Sequence, residues 1–136
     1  MEEIVWSPEM SLGMPSMDQA HHDFLEELAR LARVPDIEFA NSYAALIADV
    51  ERDFHAEQLM MDEINFPASN SHVEQHARIL SGLHHANSRV MRGEIAAGRE
   101  AVRLLPHWFA FHLATMDTAL AIAYEMAHAA EEPPVA

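Results

Sequence analysis

The sequence predicts an all-α protein: an up-down-up-down four-helix bundle led by an N-terminal extended arm. Three observations carry that expectation. Apolar residues recur at three-and-four spacing through four stretches, proline and glycine punctuate the gaps, and no stretch alternates apolar with polar residues as a strand would. At 136 residues the chain has the length for one domain with one core.

Residues 1–17 hold Pro8, Gly13 and Pro15 among scattered apolar side chains and read as the arm. The helical pattern starts at Asp18, with Phe24, Leu25, Leu28, Leu31 and Ala32 on one face, and Pro35 stops it. A second helix is expected over 38–65, presenting Tyr43, Leu46, Ile47, Val50, Phe54 and Met61 before Pro67 closes it. Ser69, Asn70 and Ser71 read as a capping cluster, with Glu74 placed to complete a capping box for Ser71. The third helix carries Val73, Ile79, Leu80 and Leu83 and ends near Gly93. After a 93–98 loop, a fourth helix runs to about His128, leaving a short tail over 129–136. Pro106 falls inside that helix, where its missing N–H should kink or thin the preceding turn.

Composition narrows the function. There is no cysteine, which excludes disulfides, thiolate metal sites and thiol catalysis. The formal charge of -14 argues against nucleic acid or an anionic membrane as a partner. No apolar run is long enough to span a bilayer, and the acidic start (Glu2, Glu3) lacks a signal-peptide layout, so a cytoplasmic protein is expected. The unusual count is histidine, ten residues against eight Lys plus Arg. Imidazole is the commonest side-chain metal ligand, so the spacing of these residues matters.

His72 and His76 are four apart on the third helix and project from one face. Asp53 and Glu57 share that spacing on the second. His112 and Asp117 are five apart on the fourth, a spacing that still permits convergence, and His21 is expected in the first turn of the first. Each piece is weak alone, since a lone His-x3-His is as often a surface accident and Asp-x3-Glu is usually a solvated face. Four such pieces on four successive helices point to a carboxylate and histidine cage inside the bundle, because buried charges are costly unless paired or metal-bound. His22, His55, His84, His85, His107 and His128 are expected to be surface or core-rim groups.

These residues resemble the bacterial hemerythrins over nearly the whole chain. Trp6, Leu12-Gly13-Met14 and Met17-Asp18-x-x-His21 match the family's arm and first ligand. Glu57, Met61, Phe66-Pro67 and His72-x3-His76 keep the spacing of its second and third helices. Trp108-x3-His112-Leu113-x3-Asp117 matches its fourth-helix motif. The resemblance implies two irons (Fe2+/Fe3+) joined by an oxo or hydroxo bridge. His72, His76 and His112 would hold one iron, and His21 with position 53 the other, where dioxygen binds in the family. Glu57 and Asp117 would bridge the pair.

The departure is at position 53. The family has His-Phe-x-x-Glu there, and this chain reads Asp53-Phe54-His55-Ala56-Glu57. His55 lies about 200° around the helix from position 53 and should face away. An anionic oxygen ligand favours ferric over ferrous iron more than imidazole does, so Asp53 should make the centre prone to autoxidation. The resemblance implies a dioxygen-binding or sensing protein. Asp53 keeps open a di-iron redox enzyme (oxidase, oxygenase, or peroxide or dioxygen reductase), and acidity with surplus histidine keeps open an iron buffer. Dioxygen or peroxide is the expected small-molecule partner, the chain is expected to be a monomer, and a sensor role would need a separate partner protein.

Overall fold

The structure, a computed structural model, describes residues 4–129 and bears out the four-helix bundle. Helix α1 spans Pro15–Leu31, α2 Asp36–Glu63, α3 Ser69–Val90, α4 Ile95–His112 and α5 Thr118–Ala129. The five residues Leu113–Asp117 form a π-helical turn that joins α4 to α5 as one bent rod, so these two supply the fourth rod of the bundle. Among the described residues no helix is long and apolar enough to cross a membrane. The expected tail lies outside the described residues, apart from Ala129, which ends α5.

Several boundaries differ from the sequence expectation for local reasons. Helix α1 begins at Pro15 rather than Asp18, because proline's fixed φ and missing N–H suit a first helical turn. The arm is not simply extended: Pro8–Met10 make a 3₁₀ turn, and Asp18 ties the arm down by accepting from Ser11 Oγ at 2.6 Å and Leu12 N–H at 2.8 Å. Helix α2 ends in a Schellman motif, with Asn65 left-handed at φ 52° and Phe66 N–H donating to the Met61 carbonyl at 2.9 Å. The Ser71 capping box does not form. Ser71 lies inside α3, which starts at Ser69 with no side-chain cap, and Glu74 pairs instead with Arg78 at 2.7 Å. Gly98 is not a loop residue. It is buried in α4, where an added Cβ would lie 2.5 Å from Phe39 Cε1 and 2.6 Å from Val90 Cγ2.

The core falls into two apolar clusters. The larger contains Leu25, Leu28, Phe39, Tyr43, Leu46, Leu83 and Val102, with Tyr43 donating its hydroxyl to the Leu83 carbonyl at 2.9 Å. The smaller consists of Met17, Met61, Phe66 and Leu120. On α1 and α2 the polar residues of interest fall between the two clusters. On α1 the order is Met17, His21, Leu25, and on α2 it is Val50, Glu57, Met61.

Candidate metal centre

His21, Glu57, His72, His76, His112 and Asp117 are the buried polar residues of the described chain, and His72 is 0% exposed. Glu57, His72, His76, His112 and Asp117 each turn one ligand-capable atom into a common space, all within 4.8 Å of one another. The α3 pair gets there by helical phase, since four residues return to the same face. The α4 pair does not. Five residues on a regular α-helix would put Asp117 about 140° away from His112. The π turn closes residue i to i+5, as Thr118 N–H to the Leu113 carbonyl, and takes up the surplus residue.

His21 enters from α1 beside this group, 3.3 Å from Asp117 Oδ2 and 3.7 Å from Glu57 Oε2, in its helix's second turn rather than the first. Asp53 stands further off. Its side chain is 26% exposed and meets Arg52 at 3.7 Å, while also lining the cavity on which His21 and Glu57 border. His55, His84, His85 and His107 are exposed, and His22 and His128 are half-buried.

Hydrogen bonds alone do not satisfy the group. Asp117 Oδ1 lies 3.1 Å from His112 Nε2 and 3.2 Å from His72 Nε2, yet is aligned for a hydrogen bond with neither. The Nε2 atoms of His76 and His112 face each other at 3.2 Å. Glu57 Oε1 and His72 Nε2, 2.9 Å apart, make an ordinary pair across the centre. Asp117 Oδ1, buried and unpartnered among inward nitrogens, suits a cation, and imidazole with carboxylate is a donor set that iron accepts. The residues therefore fit a metal.

The metal-free electrostatics agree. Burial would lower His21 and His72, but the nearby carboxylates of Asp117 and Glu57, which favour the protonated rings, outweigh it and lift both to about 9. His76 goes the other way, lowered by burial and by the neighbouring His72 and His112 despite Glu57. Burial opposes ionisation of Glu57 and Asp117, yet the surrounding imidazoles hold both below the usual carboxylate range. Burial raises Asp53, with Asp49 and Glu57 adding to the effect and Arg52 and His21 opposing it. A metal would therefore compete with protons for His21 and His72.

Aromatic rings hold the imidazoles in place. Phe54 stacks on His76 with centroids 3.6 Å apart and planes 3° from parallel, and Trp108 stacks on His112 at 4.6 Å and 16°. Phe109 meets His21 edge-on at 5.2 Å. On its outer side His112 Nδ1 lies 3.1 Å from Gln75 Oε1. Sequence reasoning passed over Gln75, because a glutamine between two candidate ligands carries no signal of its own. Phe54 was read only as a core residue, although its place one turn before Glu57 on the inward face was visible.

A cavity of about 20 Å³ abuts the centre. His21, Asp53, Glu57, His112 and Asp117 line it together with apolar side chains such as Phe24, Val50, Ile79 and Leu105.

No family model matches the chain. It is 32% identical over 117 residues, 86% of this chain and 85% of the relative, to a bacteriohemerythrin from Ralstonia nicotianae.

Proposed function

The chain belongs to the bacteriohemerythrin family, and on that premise we propose that its buried centre holds two irons and binds or senses dioxygen. His72, His76 and His112 would hold one iron, His21 with Asp53 the other, and Glu57 and Asp117 would be shared. When bound, such a pair supplies the electrons that dioxygen binding draws on. The protein's own part is to hold the imidazoles rigid under Phe54 and Trp108, to keep Glu57 and Asp117 ionised, and to limit what arrives.

The cavity carries the reading. At about 20 Å³ it has room for a molecule about the size of water, and apolar side chains form much of its wall. That favours an uncharged diatomic over an organic substrate. The reading treats residues 1–136 as one domain, acting as a cytoplasmic monomer. Elemental analysis of iron-supplemented protein should give about two irons per chain, as a two-site bundle core implies. Reduced protein should change its absorption on admitting air. Zero or one metal in a folded sample would sink the reading.

Asp53 favours a second reading, redox chemistry in place of reversible binding, because an anionic donor stabilises the ferric state. Asp53→His separates the two. The variant, at equal iron loading, should hold its oxygenated spectrum longer in air than the parent, measured by stopped-flow absorbance. Equal or faster decay would show that position 53 does not set the reactivity.

A further inference from the structure

The imidazoles of the centre differ in what stands behind them. His21 Nδ1 and His72 Nδ1 are buried and meet no hydrogen-bond partner among the described residues. His112 Nδ1 meets Gln75 Oε1 at 3.1 Å, while its Nε2 points inward to Asp117 and His76. A neutral imidazole that offers its Nε2 lone pair inward carries its proton on Nδ1, and that N–H donates to the Gln75 amide oxygen. Trp108, stacked on the ring face, restricts tilt but leaves the ring free to turn in its own plane. The Gln75 contact removes that freedom.

We propose that Gln75 is a positioning residue that sets the tautomer and in-plane orientation of His112 and, as a neutral acceptor, keeps this ligand a weak donor to the metal. The inference rests on reading the centre as a metal site. Its chemistry follows from the neighbours. The centre already has Glu57 and Asp117 as buried carboxylates, with Asp53 at its edge. A carboxylate behind His112 would draw the Nδ1 proton, enrich the imidazole and favour ferric iron further. An amide orients the ring without that added negative charge.

The test compares the full-length parent with Gln75→Met, which keeps the length but loses the acceptor, and Gln75→Glu, which keeps the acceptor and adds charge. Iron retention against a chelator and the midpoint potential of the iron centre are measured for each, with metal-free melting as a folding control. Gln75→Met should lose roughly 10- to 100-fold in metal affinity, the usual effect of removing such a partner. Gln75→Glu should retain iron as the parent does, with a lower potential and faster autoxidation. Parent-like retention in Gln75→Met together with an unchanged potential in Gln75→Glu would overturn the proposal. So would equal loss of metal-free stability in both variants with no change in potential, which would mark Gln75 as structural only.

Zinc-loaded protein supplies an arm that does not need iron. By 15N NMR, His112 should carry its proton on Nδ1, slowly exchanging in the parent and Gln75→Glu and rapidly exchanging in Gln75→Met. A parent that binds zinc but not iron would remove the iron reading and leave this arm standing. A parent that binds neither overturns both.

Discussion

The bundle is built twice over from the same rods, once as an apolar half around Phe39, Tyr43 and Leu46 and once as the polar centre around His72 and Asp117. Burial is equally complete, at 0% for Phe39 and His72 and 1% for Asp117. What differs is self-sufficiency. In the apolar half the core side chains pack on apolar neighbours, and the buried Tyr43 hydroxyl donates to the Leu83 carbonyl. In the centre, Asp117 Oδ1 and the Nδ1 atoms of His21 and His72 are buried without a hydrogen-bond partner among the described residues. Such groups are costly to bury unless something binds between them. Burial therefore indicates where a residue lies, and donor arithmetic indicates what it requires.

Removing the metal is the strongest way to test that contrast. A ligand present at a thousand times its dissociation constant stabilises the fold by about 4 kcal/mol, so chelation should lower the melting midpoint by roughly 10–20 °C in a chain of this size. His76→Ala should likewise cost metal, while His85→Ala, an exposed bystander, should not. Equal midpoints with and without chelator would mean the centre is as self-sufficient as the apolar half.

Gly98→Ala probes the other half. Its new methyl would lie 2.5 Å from the Phe39 ring and 2.6 Å from Val90, and both sit in a packed core. The expected cost is about 1–3 kcal/mol by chemical denaturation, with iron content unchanged. A variant that lost metal but not stability would show that the two halves are coupled.

The smallest effect comes from Glu27, on the α1–α2 seam. Burial, with Asp49 adding to it and Arg30 opposing, pushes its carboxyl up to about 7. A value raised in the folded state adds stability that is full below the ordinary value near 4.5 and is lost as pH rises through about 7. Half-exposure and screening keep the effect slight. Metal-loaded parent should thus lose a little stability from pH 5 to 8, and Glu27→Gln should flatten that slope. An unchanged slope would assign it to the centre.

Helix count, the two-faced periodicity and the inward placing of Glu57, His72 and His76 were readable from the sequence, because phase on a regular helix follows from spacing alone. Asp117 was readable only as permitted, since five residues overshoot a regular face and only backbone hydrogen bonding reveals the π turn. Gly98 was misplaced because glycine in a short polar stretch signals a loop, and only the approach of Phe39 shows it to be a packing requirement. The Ser71 box failed for a similar reason. The Schellman turn at Asn65 and Phe66 sets where α3 begins, and it put the N-cap at Ala68, three residues before Ser71. The position of Asp53, on the cavity wall but outside the cluster of five, depends on a partner arginine and on side-chain reach, and neither follows from helical spacing.

A wide turn is a loose one. The Leu113 carbonyl receives both the Thr118 amide and the Thr118 hydroxyl, at 2.8 Å for the latter, and Thr115 sends its hydroxyl back to the Phe111 carbonyl at 2.8 Å. Side-chain competitors for backbone acceptors make a short segment cheaper to open than the fold as a whole. Amide protons of residues 113–118 should accordingly exchange with deuterium sooner than those in the middle of α2. Asp117 rides on this segment, so its grip on a metal is expected to relax at the rate the turn opens, long before the bundle unfolds. The surplus residue that brings the carboxylate into reach would then also set how long a metal stays.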